Sequence, residues 1–524
     1  MKTKNIVFTI MGCGILVFTA CSKFLDENPK SEITSITYYQ NEAQAEENVN
    51  ALYRRGAPTL YGVATSAYYG PYATVNVMLT GYFTNSYEGQ ELTWKYSREL
   101  DRQNHTRTVS NTMNQIWNGS YEAINIANGA IKYIPEITMD ENLQKKLVAE
   151  ARFFRAFNYF YLVKTFGAIP LSVEPYESLE NLYLKRTDEK DVYALIESDL
   201  KNAVEILPEK TFAGNGHRIT KYVASMVLSD VYLQQGKYSE AAEYAKNVIN
   251  SPHSLTVNDD LEMNSAYNKL RENDDLPEVI YSYEYNATIS NSGRWPSYAF
   301  SSSATSIFGT YSIFERVYGP IKRFLNIYQD NDLRIQPNQF FHWEYTNPKN
   351  GKTWSSDEAG VWYYFDEEAV LETGKGTKDW NIYRYAEALL NGAESIAKSE
   401  NNVSDEAAGY LAQIKARADI NGKTEADYKS ELRSLSVDEF VEECWTERLR
   451  ELPLEFKMWD DILRTQKYPS ISETQKGEVD YQPLIGASNA SGAKFTESDL
   501  LWPISLDELQ RNNELTQNPG YPDK

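Results

Sequence analysis

Paired carboxylates, imidazoles and glycine-lysine triplets are the raw material of hydrolases and phosphate sites, and this chain holds all three in spacings that serve neither. Asp460-Asp461 and Glu442-Glu443 are sequence neighbours, and adjacent helix positions point about 100° apart rather than flanking a scissile bond. They read as solvated faces or caps. His105, His217, His253 and His342 form no i, i+4 pair and no His-Glu-x-x-His run, so a hydrolytic metal lacks its ligands, and each reads as a loop surface residue. Gly351-Lys352-Thr353 and Gly422-Lys423-Thr424 have Thr346 and Arg417 where a phosphate-cradling loop needs its upstream glycine. Asp330-Asn331-Asp332 lacks the rest of an EF-hand loop and reads as a helix cap. No catalytic residue, metal site or cofactor is expected. A glycoside hydrolase stays open only through carboxylates that converge in space from distant positions.

Aromatic rings beside polar side chains are the stronger signal. The chain has 39 Tyr and 10 Trp, and rings at this density either fill helix interfaces or line a binding surface. A neutral glycan offers flat C–H faces to such rings and hydroxyls to Asn, Asp, Gln and Arg. Trp117, Trp380, Trp445, Trp459 and Trp502 lie on predicted helices or the tail and are expected in the core. Trp94, Trp295, Trp343, Trp354 and Trp362 lie in irregular stretches among Ser, Asn and Gly. In Gly293-Arg294-Trp295-Pro296-Ser297-Tyr298 the proline stiffens a turn between two rings, which makes Trp295 and Tyr298 the first candidates for ligand contact. Tyr82, Asn85, Tyr87 and Trp94 form a second group, and Trp343 and Trp354 complete the set.

The elements that must carry these rings are mostly helical. Ile219 to Ser251 reads as two amphipathic helices with Val223, Val227, Val231 and then Ala241, Ala245, Val248 at helical spacing. Gly236 supplies the left-handed residue between them, and Ser239 with Glu240 and Glu243 is the expected second cap. Leu228, Tyr232, Gly236, Tyr238 and Ala241 sit where a tetratricopeptide hairpin interlocks, and such a unit needs other helix pairs stacked on it. Further helices are predicted at Asn41 to Arg55, Asn114 to Tyr133, Leu143 to Phe166, Asp191 to Leu207, Asn381 to Lys398, Asp405 to Asp419 and Val437 to Arg464. Gly56 to Val109 shows no sustained period, and loops of that length are usually functional. From Leu255 to Asp379 the chain turns rich in Ser, Gly, Asn and aromatics, with β-like Val279-Ile280-Tyr281-Ser282-Tyr283 and one helix near Phe314 to Tyr328. The tail beyond Leu501 is extended by its prolines.

The net charge of −22 argues against nucleic acid, whose phosphates require a basic surface. Cys13, Cys21 and Cys444 are too few for a disulfide framework or an all-cysteine zinc site. Lys2 and Lys4 precede an apolar run from Ile6 to Phe18, too short to span a bilayer and flanked like a secretory signal. Phe18-Thr19-Ala20-Cys21 resembles a bacterial lipobox, with Phe18 departing from the usual Leu, so a lipid on Cys21 is the expected anchor. Removal of Lys2 and Lys4 takes the charge from −22 to −24. Four regions follow: a lipoprotein signal peptide over 1–20, a scaffold with the tetratricopeptide-like hairpin over 21–254, a variable loop-rich ligand-binding insert over 255–379, and a helical region over 380–524 packing on the scaffold.

With these residues assembled, the chain resembles the SusD/RagB family of nutrient-binding surface lipoproteins. Phe24-Leu25-Asp26 with Pro29 resembles the family's opening. Glu150-Ala151-Arg152-Phe153-Phe154-Arg155-Ala156 with Phe166-Gly167-Ala168-Ile169-Pro170-Leu171 resembles its central helix. Glu447-Arg448-Leu449-Arg450-Glu451-Leu452, Trp459-Asp460-Asp461-Ile462-Leu463-Arg464 and Gln517-Asn518-Pro519-Gly520-Tyr521 resemble its C-terminal signatures. The resemblance implies a mainly α fold, a scaffold of tetratricopeptide-like helical pairs carrying a loop-rich, aromatic-rich variable insert. It further implies a non-catalytic lipoprotein on the outer-membrane surface that binds a polysaccharide or oligosaccharide and acts as the lid of a SusC-type TonB-dependent transporter. The family often places binding residues before the Trp117 helix, which favours the Tyr82 to Trp94 group. A helical scaffold that binds only protein is the rival, disfavoured because the unexplained aromatics lie outside the repeats. The matching motifs are scaffold residues and transfer fold better than ligand.

Overall fold

The computed structural model describes residues 38–56, 73–85, 92–177, 182–286, 299–300, 302–308, 318–372 and 376–523. The frame is a run of helices, each packed on the next. Glu42–Arg55 and Glu141–Phe166 lie against Thr106–Tyr133, and Glu189–Ile206, Lys221–Gln234 and Tyr238–Ile249 continue the stack. The next helix in space is not the next in sequence. Tyr385–Glu400 lies directly on Tyr238–Ile249 and is followed by Asp405–Ala418 and Val437–Glu451, so the stack resumes across residues 255–379 as helix pairs with unburied apolar faces require.

Local chemistry sets the helix ends. Asn41 accepts a hydrogen bond from Gln44 N, Asp140 from Asn142 N and Leu143 N, and Thr220 from Val223 N, each satisfying donors that a helix start leaves open. Ser436 and Glu439 form a reciprocal capping box at the head of Val437–Glu451. Gly236 has φ +69° between the two hairpin helices, as its position implies. The second helix starts earlier than its sequence suggests: Lys237 precedes Tyr238–Ile249 without a side-chain cap, and Ser239 lies inside. Ala241 is fully buried and its carbonyl accepts Ser229 Oγ at 2.9 Å, which fixes the close approach of the pair.

The Glu141–Phe166 helix is buried on every face from Glu150 to Phe166 except at Arg152, as aromatics on more than one side predict. Its charges pair sideways. Arg155 binds both oxygens of buried Asp199 at 2.7 and 2.9 Å, Arg152 reaches the same carboxylate at 2.9 Å, and Glu150 pairs with Arg218. The Glu-Ala-Arg-Phe-Phe-Arg run thus clamps three consecutive layers of the stack.

Several expectations change. Thr106–Tyr133 begins eight residues ahead of Asn114, and Gly56 to Val109 contains the helices Ala73–Met78 and Leu92–Arg98 and the strand Phe83–Thr84. Of the helix expected near Phe314 to Tyr328, 314–317 lie outside the described residues and Lys322–Leu325 is a single turn. Asn381 belongs to the strand Trp380–Arg384, which pairs antiparallel with Val279–Tyr283 before Tyr385–Glu400 begins. Val437 to Arg464 is two helices, Val437–Glu451 and Met458–Thr465, because Pro453 breaks the ladder and Phe456 turns at φ +63°. The tail contains the helix Leu506–Arg511. Asp461 is not solvated but binds Arg448 at 2.8 Å and Arg464 at 2.8 Å, Asp460 binds buried Lys164 at 2.7 Å, and Glu443 pairs with Lys415. Glu442 alone of the four stays exposed.

The insert is joined to the frame through buried charge. Arg384 binds Glu278 at 2.7 Å, Glu451 at 2.9 Å and Glu455 at 2.8 Å, while Arg417 binds Glu278 at 2.7 Å and Glu451 at 2.6 Å. Arg334 reaches Glu447 at 2.7 Å and Glu451 at 3.0 Å. Burial pushes the Glu447 carboxyl up, but Arg334, Lys415 and Arg450 together hold it down at about 2. Glu278 and Arg334 come from the insert, Glu455 from the turn after Val437–Glu451, and the remaining residues from the C-terminal helices and strand. Removing one carboxylate would strand buried guanidinium groups, so Glu451→Ala is expected to cost about 3–5 kcal/mol in urea denaturation. A loss below about 1 kcal/mol would show that the network does not hold the insert.

Candidate functional site

The sequence-predicted rings divide by burial. Tyr82 is fully buried, donates to Pro469 O at 2.6 Å, accepts from Ile471 N at 2.8 Å and stacks on Tyr468 at 5.8 Å. Asn85 and Trp94 are each 1% exposed. Trp94 looked like a loop residue but sits in Leu92–Arg98, which packs on Ala73–Met78 and on Thr106–Tyr133; a two-turn helix is too short to show its period in sequence. Trp354 is buried and donates to Ser303 Oγ at 3.0 Å, and Trp362 donates to Asn268 Oδ1 at 3.0 Å while stacking on Phe365. These rings are core, not platform. Trp343, on the strand Phe341–Thr346, is half-buried. Trp295, Tyr298, Tyr87 and Cys21 lie outside the described residues. Trp117, Trp380, Trp459 and Trp502 are buried as expected, with Trp445 half-buried.

Two histidines also leave the surface. His253 Nδ1 lies 2.8 Å from Pro277 O. His342 bonds Ala299 O through Nε2, and burial pushes its pKa down to about 4.

An opening of ligand size lies elsewhere, where the end of Glu42–Arg55 meets the strand Val279–Tyr283. A cleft of about 720 Å³ is lined there by Asn50, Tyr53 and Arg54 and by Tyr281, Tyr283 and Tyr285, whose rings are largely buried at 2, 6 and 8% exposure and present only their edges to it. The strand ends at Tyr283 and its pairing is irregular at Tyr281, and the whole run from Tyr281 to Asn286 borders the cleft rather than one alternating face. Phe212 packs edge-on against Tyr281 at 5.4 Å, Tyr283 meets Tyr285 at 5.3 Å, and the Arg54 guanidinium stands 5.8 Å from the Tyr283 ring centroid. Sequence reading named the strand but not its tyrosines as a site. The signal was tyrosine at every second residue as far as Tyr285.

The rim is acidic. His217, half-exposed, bridges Asp275 at 2.9 Å through Nε2 and Glu284 through Nδ1. Asp274 pairs with Lys378, and Asp379 accepts Tyr285 N–H at 2.8 Å. Burial, and then the neighbouring Asp274, push the Asp379 carboxyl up to about 8. Burial also raises Glu284, with His217 opposing. From this cleft the chain runs out of Arg54 into 57–72 and out of Asn286 into 287–298, and it returns at Thr377 from 373–375. A second short ladder pairs Phe83–Thr84 antiparallel with Gly319–Pro320.

A helical-repeat frame carrying an irregular insert, with a ligand-sized aromatic cleft at their junction, is the class these features define. Residues 315–521 match the family model described as SusD family, and residues 23–233 match one described as starch-binding associating with outer membrane. The chain belongs to the SusD/RagB family. It is 27% identical to SusD-like protein P2 of Formosa agariphila, covering 99% of this chain and 100% of that one. A SusD superfamily protein from Parabacteroides distasonis superposes with a TM-score of 0.77 at 25% identity, covering 94% of this chain and 100% of the other. A surface glycan-binding protein A from Bacteroides thetaiotaomicron, solved in complex with laminarihexaose, shares the fold with a TM-score of 0.68 at 16% identity, over 92% of this chain and 100% of that one.

Asp379 supplies a pH test. Its folded pKa of about 8 lies above the ordinary 3.8, so the native state holds a proton that the unfolded chain has released, and native stability falls as pH rises from about 4 to about 8. Asp379→Asn keeps the acceptor for Tyr285 N–H and cannot ionise. It is expected to raise the thermal midpoint by an amount that grows from near zero at pH 4 to its full size above pH 8; a constant offset across that range would contradict the assignment.

Proposed function

We propose that this protein is a lipid-anchored, surface-exposed outer-membrane protein that binds a polysaccharide or oligosaccharide and passes it to a SusC-type TonB-dependent transporter, for which it serves as lid. The observation that carries the reading is the cleft. Tyr281, Tyr283 and Tyr285 along its edge, with Arg54, Asn50 and several carboxylates, supply the mixture of apolar surface and hydrogen-bonding groups that a sugar requires. The laminarihexaose complex of the structural neighbour and the names of the matching families support a carbohydrate as ligand. Binding without turnover is the proposed role. Asp461 and Glu443, the more buried member of each adjacent pair, are held in ion pairs with Arg448, Arg464 and Lys415, which suits structure rather than proton transfer.

Among the described residues no helix is long and apolar enough to cross a membrane; a lipid on Cys21 is the proposed attachment. Residues 255–379 serve in this reading as the ligand-binding insert, with the regions 21–254 and 380–524 as its frame. Trp295 and Tyr298, in the segment that continues from Asn286 at the cleft edge, remain the proposed ligand rings, with Tyr87 and half-buried Trp343 as secondary contacts.

Affinity electrophoresis through gels containing candidate polysaccharides tests the assignment. The double variant Trp295→Ala, Tyr298→Ala is expected to lose at least about tenfold in retention, as stacking contacts between rings and a ligand suggest, with its melting temperature unchanged. Retention equal to the parent protein would reject both residues. Trp94→Ala, by contrast, should lose about 3–5 kcal/mol of stability.

A further inference from the structure

A histidine spans the rim of the cleft. His217 belongs to the helical frame, in the loop between Glu189–Ile206 and Lys221–Gln234, whereas Asp275 precedes the strand Val279–Tyr283 of the insert and Glu284 follows it. Nε2 of His217 lies 2.9 Å from Asp275 Oδ1, and Nδ1 lies against Glu284 Oε1. A neutral imidazole carries one N–H and can donate to one carboxylate, leaving a lone pair against the other, whereas an imidazolium donates to both. The bridge therefore requires the charged ring. The backbone is built around the same contact. His217 has φ +58°, directly after Gly216 at +64°, and a residue with a Cβ is strained in this region unless its surroundings over-determine it. Here they do: His217 N–H donates to Phe212 O at 3.0 Å, and the ring stacks on Phe212 with centroids 5.4 Å apart, which aims both nitrogens at the insert.

We infer that His217 is a pH-dependent strap between frame and insert, closed over Asp275 and Glu284 while its ring is doubly protonated and released on one side when the ring gives up a proton. All three residues line the cleft, so release loosens its rim. The strap is read from the protein alone, and only its consequence for a bound sugar rests on the carbohydrate reading above. Other charges bear on it. Burial raises the Glu284 carboxyl, His217 opposes, and Asp275 and Asp274 raise it further; Asp274 is itself paired with Lys378. Asp379, raised to about 8, gains its charge over the same pH range. Arg54 lines the same cleft, and Arg218, next in the chain, is engaged by Glu150. The strap is complete where both carboxylates are ionised and the ring is charged. It is lost at low pH as Glu284 takes up a proton, and lost again as rising pH neutralises the ring.

Nuclear magnetic resonance of the detergent-solubilised full chain, with 15N-labelled histidine and carrying Asp379→Asn so that this carboxyl cannot ionise, tests the strap without any ligand. The His217 signal, identified by its loss in His217→Gln, is expected to show both ring nitrogens protonated at about pH 6 and one at about pH 9. The same protonation at both pH values overturns the inference. Thermal midpoints in the same background supply a second readout. His217→Gln is expected to lower the midpoint at least about twofold more at pH 6 than at pH 9, and with Glu284→Gln already present that difference should shrink by about half. An equal loss at both pH values, or a difference that Glu284→Gln leaves undiminished, overturns the inference by giving His217 a role in packing alone.

Discussion

Glu451 holds three guanidinium groups inside the protein. Its two oxygens face Arg384 and Arg417 on one side and Arg334 on the other, with Tyr267 OH at 3.2 Å. Taking so many charges out of water costs more than an apolar core of the same volume would, and the arrangement is tolerable only because nearly every lone pair and N–H is matched. Its consequence is geometrical. Glu278 immediately precedes the strand that carries Tyr281 and Tyr283, Arg384 ends the strand paired with it, and Arg384 and Arg417 each bind both Glu278 and Glu451, which ties the pair to Val437–Glu451. A slip of one residue in this pairing would leave buried guanidinium groups without partners.

The helical stack gives this junction its place. Because Tyr385–Glu400 packs on Tyr238–Ile249, the insert must leave and re-enter the frame at neighbouring points. The Val279–Tyr283 and Trp380–Arg384 ladder closes that gap. The cleft therefore forms where the helical stack meets an irregular excursion. Scaffold rigidity with variable chain at its edge is how binding sites are commonly set on folds.

The frame was legible because its signals are local. Asn41, Ala45, Val49 and Leu52 announce the first helix, and cap and buried stripe fall where the spacing puts them. The Glu447 to Glu451 run and Asp461 were legible as family signatures but not as physics. Asp461 looked solvated in sequence, and the pairing of the Glu447 to Glu451 run was not legible, because many of the partners, such as Glu387 for Arg448 or Glu394 for Arg464, lie on other elements. The site was read less well. Trp94, Trp354 and Trp362 stood out by residue type among polar neighbours, yet tertiary packing seals all three. Tyr283, Tyr285 and Asp379 drew no notice because a cleft assembled from a helix end, a strand and a return loop has no contiguous motif. Asp379 lies in the stretch read as insert and Arg54 in a predicted scaffold helix. Nothing in the sequence placed them together.

A crystal structure of the protein with a bound oligosaccharide tests the central claim most directly. The account predicts electron density for sugar rings in the cleft lined by Tyr53, Arg54, Tyr283 and Tyr285, with the Glu451 network unchanged from the ligand-free protein. Sugar bound on the helical face away from the insert, with the cleft empty, would contradict it.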